Sequence, residues 1–106
     1  IVFISSRAGS IKERGQKEYH KPGGPYIYRT SKAALNSAAK NLTFDLTPMG
    51  FSIIVLHPGL VKTKINDYNG HISSRLSVMN MIKLISNWKQ DNNGIFYAYD
   101  GERISW

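Results

Sequence analysis

The sequence predicts an α/β fold of three parallel strands and two long helices, half of a doubly wound sheet. Three observations carry this expectation. Apolar, β-branched runs without polar alternation stand at 1–4, 52–57 and 95–99, the pattern of strands covered on both faces. Between them lie two segments whose apolar residues recur at three and four positions, the period of a helix resting one face on a sheet. Each connection is long enough to hold that helix, and two parallel strands so joined form a right-handed βαβ unit.

In chain order, Ile1 to Ile4 form the first strand, with Ser5-Ser6 at its C-terminal end. The chain starts abruptly inside this strand. A preceding βα unit is therefore expected, without which one edge of residues 1–6 is unpaired and recruits another chain. From Arg7 to Pro25, four glycines and two prolines among charged residues mark a long loop. Its Tyr19 and His20, with Tyr26 just beyond, either line a substrate pocket or are plain surface aromatics. A helix then runs from about Tyr26 to Leu46, with Leu35, Ala38, Ala39, Leu42 and Leu46 as the stripe for the sheet. Its Ala33, Ala34 and Ser37 make a small face that a second helix can approach. Thr47-Pro48 and Gly50 stop it.

Residues 52–57 form the second strand, which runs into Pro58-Gly59 and a loop to Gly70. Ser73 or Ser74 caps the next helix, whose expected stripe is Val78, Met81, Ile82, Ile85 and Trp88. Asp91-Asn92-Asn93-Gly94 is a turn, residues 95–99 the third strand, and Asp100-Gly101 a tight turn toward Trp106.

The 106 residues amount to one small domain. No apolar run approaches the length of a membrane span, and the short apolar opening lacks the basic flank and cleavage site of a signal peptide. The absence of cysteine excludes disulfides and thiolate metal sites, and His20, His57 and His71 have no metal-ligand spacing. A cytoplasmic, metal-free protein is expected. The net charge of +7 is interspersed with acidic residues and comes with no nucleic-acid motif, so it reads as solvated surface rather than a nucleic-acid footprint.

The chemistry centres on Tyr28 and Lys32, four positions apart and hence on one helix face. Tyrosine works as an acid or base near neutral pH only if its pKa of about 10 falls by roughly 3, a change of about 4 kcal/mol. A neighbouring ammonium supplies much of that. Ser6 and Pro58-Gly59 both lie at C-terminal strand ends, where open parallel sheets bind ligands.

Serine, then Tyr-x-x-x-Lys in YRTSKAALN, then Pro-Gly-x-Val-x-Thr in HPGLVKT, resembles the short-chain dehydrogenase/reductase family. The wording of those two phrases and of the ending GIFYAYDGERISW is closest to its carbonyl-reductase branch, which includes the bacterial C-factor and insect sniffer proteins. The resemblance covers essentially the whole chain but only the C-terminal, catalytic half of that Rossmann-type fold. It implies NADP- or NAD-dependent hydride transfer to or from a small-molecule carbonyl or alcohol. Tyr28 would be the proton donor, and Ser6 would hydrogen-bond the substrate oxygen. Lys32 would hold the nicotinamide ribose. Pro58, Gly59, the Val61 amide and the Thr63 hydroxyl would enclose the nicotinamide. It also implies a homo-oligomer, since relatives often use the Tyr-Lys helix in a dimer interface.

The Gly-rich phosphate loop, the Asn-Asn-Ala-Gly strand and the helix asparagine of the family's proton relay are not found in this sequence. The isolated chain is therefore expected to be inactive. The alternative is a non-catalytic binding or dimerisation module derived from the family.

Overall fold

The central strand sets the architecture of this computed structural model, which describes residues 1–16 and 23–106. Ile54–His57 (β2) lies between Val2–Ile4 (β1) and Phe96–Ala98 (β3) in one parallel sheet of order β1-β2-β3. The register pairs Phe3 with Val55 and Val55 with Phe96, while Leu56 pairs with Ile4 and Tyr97. Three strands were expected and three are present, each a residue or more shorter than its apolar run.

Because neighbouring positions along a strand face opposite ways, the register separates two faces. On one, Phe3, Val55 and Phe96 pack with Ile53, Ala98, Ile104 and Trp106 against Ala39 and Leu46 of the first helix, Tyr26–Leu46 (α1). Phe96 is fully buried and stacks on Trp106 with ring centroids 5.5 Å apart. Burying a side chain of this size contributes about 1.5–3 kcal/mol. On the other face, Leu56 and Tyr97 line a cavity with Leu84 of the second helix, Ser74–Ser86 (α2). Trp88, just past that helix, meets Tyr97 edge to face at 6.2 Å.

The two helices thus cover opposite faces while both connections step the same way across the sheet. Such connections have opposite hand. The right-handed expectation holds for only one of them, and the other is the rare left-handed form.

Three expectations about burial need correction. β1 is not covered on both faces: Val2 and Ile4 are 39% and 47% exposed, because β1 is an edge strand and α2 reaches only β2 and β3. The buried stripe of α1 is Asn36, Ala39 and Thr43, whereas Ala38 is exposed and Leu35 and Leu42 are only half-buried. Small polar residues win there because the helix lies close to the chain beneath it. A Cβ on Gly94 would come within 2.6 Å of the Thr43 side chain. Finally, Val78, Ile82 and Ile85 of α2 are exposed, Met81 and Trp88 are half-buried, and the buried position is Ser77.

Candidate active site

The first wall of the site grows from the end of β1. Ser5 points under α1 and its hydroxyl donates to Asn36 Oδ1 at 2.5 Å. Ser6, also buried, caps a single 3-10 turn at Arg7–Gly9, its Oγ accepting from the Ala8 amide at 3.2 Å. The turn sits directly on α1, since a Cβ on Gly9 would come within 2.6 Å of the Lys32 carbonyl carbon. Lys32 answers from the helix, its Nζ donating to the Ile4 carbonyl at 3.1 Å. One turn earlier, Tyr28 places its ring centroid 5.9 Å from the same Nζ. Ser6 and Lys32 thereby meet at one strand end, with Tyr28 beside the Lys32 ammonium and 46% exposed. Ala33 of the expected small face packs on the Gly9 turn, while Ala34 and Ser37 remain exposed.

The second wall follows β2. Gly59 has φ 83°, and a Cβ there would strike Ile72 and Tyr99 at 2.7 and 2.9 Å, so the turn after Pro58 needs glycine. The Pro58 carbonyl accepts from Ser77 Oγ at 2.6 Å, which explains the buried serine on α2. Val61 bridges to Ile72, and the Lys62 amide donates to the Ile72 carbonyl at 2.9 Å, closing the loop on itself. Thr63 caps a short turn at Lys64–Asn66 in a reciprocal box with Asn66. The Thr63 amide donates to Asn66 Oδ1 at 3.1 Å and its carbonyl accepts from the Asn66 amide at 3.2 Å.

Between the walls a cleft runs over the C-terminal strand ends as two cavities of about 220 and 370 Å³ that share Arg7, His57 and Leu60. Ser6 lines the smaller one; Gly59 lines the larger. Tyr28, Lys32, Val61 and Thr63 lie outside both linings. Of the proposed pocket aromatics, Tyr26 is exposed beside another hollow, and Tyr19 and His20 fall outside the described residues.

Two features of the cleft were not read from the sequence. Arg7 ion-pairs with Glu13 at 3.5 Å and hydrogen-bonds Glu102, joining the turn after β1 to the chain beyond β3. His57 ends β2 facing both cavities. Burial, and secondarily the Arg7 guanidinium, lower its pKa from 6.5 to about 4, with Asp100 and Glu102 partly opposing. Its Nδ1 is buried without a hydrogen-bond partner among the described residues. Its position, last on a central strand and just before Pro-Gly, was the signal available. Among the described residues no cluster of His, Asp and Glu could hold a metal, and no helix is long and apolar enough to cross a membrane.

The profile described as short chain dehydrogenase matches residues 1–72. The chain belongs to that family. Among its short-chain relatives, C-signal of Myxococcus xanthus is 34% identical over 106 residues, a match spanning all of this chain and 60% of that protein. The carbonyl reductase Sniffer of D. melanogaster superposes with a TM-score of 0.87 at 38% identity, over all of this chain and 40% of its own. The NADPH-bound carbonyl reductase from chicken fatty liver gives 0.84 at 33%, over 100% and 42%. This short-chain dehydrogenase sequence thus spans about half the length of the proteins it matches.

Proposed function

We propose that the chain is the catalytic half of an NADP(H)- or NAD(H)-dependent carbonyl reductase of the C-factor and sniffer branch, acting in the cytoplasm on small carbonyls or alcohols. The observation that supports it most is the joint placement of Lys32 on the Ile4 carbonyl, Tyr28 one turn before it, and the Ser6 turn seated on the same stretch of helix.

The donor set fits the nicotinamide end of such a cofactor: the Lys32 ammonium, the Tyr28 and Thr63 hydroxyls, and the tight Pro58-Gly59 main chain with the Val61 amide. When bound, the cofactor supplies or accepts the hydride. Tyr28 gives its hydroxyl proton to the substrate oxygen, or takes it back in the reverse direction. Ser6 hydrogen-bonds that oxygen and orients it. Lys32, whose ammonium stands 5.9 Å from the Tyr28 ring centre, would hold the nicotinamide ribose. The pyrophosphate and adenosine would bind to a half of the fold outside these 106 residues, so the chain by itself is expected neither to bind the cofactor tightly nor to turn over.

The test uses the protein completed by its cofactor-binding half. Tyr28→Phe should lower kcat with a reactive dicarbonyl by 10²–10⁴-fold, roughly the share of a general acid, while cofactor affinity barely changes. Lys32→Met should damage both, and Ser6→Ala should be milder than Tyr28→Phe. More than a tenth of wild-type turnover in Tyr28→Phe would remove Tyr28 as the acid. A second reading, a binding or dimerisation module without catalysis, draws on the exposed Val2 and Ile4 along the unpaired edge of β1. Binding of NADPH by the isolated chain at micromolar concentration would contradict the expectation that the rest of the cofactor site lies outside it.

A further inference from the structure

We propose that Arg29 and His57 form a carboxylate-binding pair in the Ser6 cavity, so that the substrate is a carbonyl compound bearing a carboxylate. The inference rests on taking this cleft as the substrate site. Both side chains line the 220 Å³ cavity that Ser6 also lines, one arriving from α1 and the other from the end of β2. Each carries a buried nitrogen with no hydrogen-bond partner among the described residues, Arg29 Nε and His57 Nδ1. Burying such a group unsatisfied costs about 1–3 kcal/mol, a cost that a ligand acceptor relieves.

Charge decides which acceptor. Arg7 in the same lining is neutralised by Glu13 and Glu102 and Arg14 there donates to the Gly23 carbonyl, whereas Arg29 makes no ion pair among the described residues and adds a cation for a ligand to match. A guanidinium is planar and presents a fork that fits a carboxylate. The imidazole, uncharged near neutral pH because of its lowered pKa, can carry its single proton on Nδ1 and donate from the second wall. The cavity has room for a short oxo acid, with the larger one beyond His57. Ser6 lines the same cavity, so a carboxylate held here keeps the reacting carbonyl within a few bonds of that hydroxyl.

The experiment is an NMR titration of the ¹⁵N-labelled chain with acetoacetate and, separately, with its methyl ester, following Arg29 Nε–H and the His57 ring. The expected result is an apparent Kd for the acid at least tenfold below that for the ester. The His57 titration midpoint should also rise when the acid is bound, because a carboxylate is then added to the groups that line its two cavities, Arg7, Glu13, Arg14, Arg29, His71, Asp100 and Glu102. Arg29→Gln should erase the difference between acid and ester, Arg29→Lys should restore part of it, and His57→Asn should keep more of it than His57→Leu. Equal shifts with acid and ester, or an acid effect that survives Arg29→Gln, would overturn the pair. Since no turnover is involved, the result is separate from the Tyr28→Phe test. A chain that binds the acid as described while Tyr28→Phe remains active would sink the catalytic assignment and leave the carboxylate site standing.

Discussion

The β2–β3 side of the molecule is closed and the β1 side is open. Across β2 and β3, Ile53, Val55, Leu56 and Phe96 are wholly buried under side chains from both layers. At β1, Ile1, Val2 and Ile4 face outward, as does the Tyr28 ring that stands over the strand's end. The same kind of residue therefore has a different worth on the two sides. An isoleucine contributes to stability only where a second surface removes it from water, and the chain supplies that surface for two strands out of three. The proposed proton donor lies on the unfinished side, while the floor of the cleft is made by the finished one.

Truncation experiments should break or sharpen this contrast. Phe96→Ala should cost about 3–5 kcal/mol in urea unfolding, the usual range for a buried aromatic, whereas Ile4→Ala should cost less than about 1 kcal/mol in the same chain. Comparable losses would mean that β1 is covered in solution. Between these extremes lies Gly9→Ala, which should cost about 1–3 kcal/mol because the added methyl meets helix backbone that cannot rotate away. The same change should displace Ser6 relative to Lys32, visible as amide shifts confined to residues 5–10 and the first half of α1.

A pH series probes the cleft floor alone. The folded His57 resists protonation down to about pH 4, so between pH 6.5 and that value the unfolded chain binds the extra proton. Stability should therefore rise with pH across this window, and the slope should flatten in His57→Leu. The smallest effect concerns association. The open β1 edge should make the chain self-associate at high micromolar concentration, and Ile4→Lys should shift sedimentation toward monomer while leaving the urea midpoint nearly unchanged.

The order of elements was legible because β2 and its neighbours are written in β-branched and aromatic residues, and because proline and glycine bracket α1 at residues 25 and 48–50. The helix faces were not. Asn36, Thr43 and Ser77 are buried for their hydrogen bonds or for close approach, and a hydrophobic periodicity cannot register a polar residue that is buried because it is small. Ser6, Tyr28 and Lys32 could be picked out by residue type and spacing. Arg7 could not, since only the folded sheet brings Glu102 to the turn after β1, and His57 was marked only by its place before Pro-Gly.

That last contact bears on how the molecule assembles. Each strand pairs with the next one in sequence, but only across a long connection: Val2 meets Ile54 and Val55 meets Phe96, so every rung of the sheet closes a long loop, and folding of such topologies is slow. Arg7 then joins the turn after β1 to the segment just past β3. Until the segment beyond β3 has been made this clamp cannot form, so the cleft over the strand ends takes shape only after the third strand is in place.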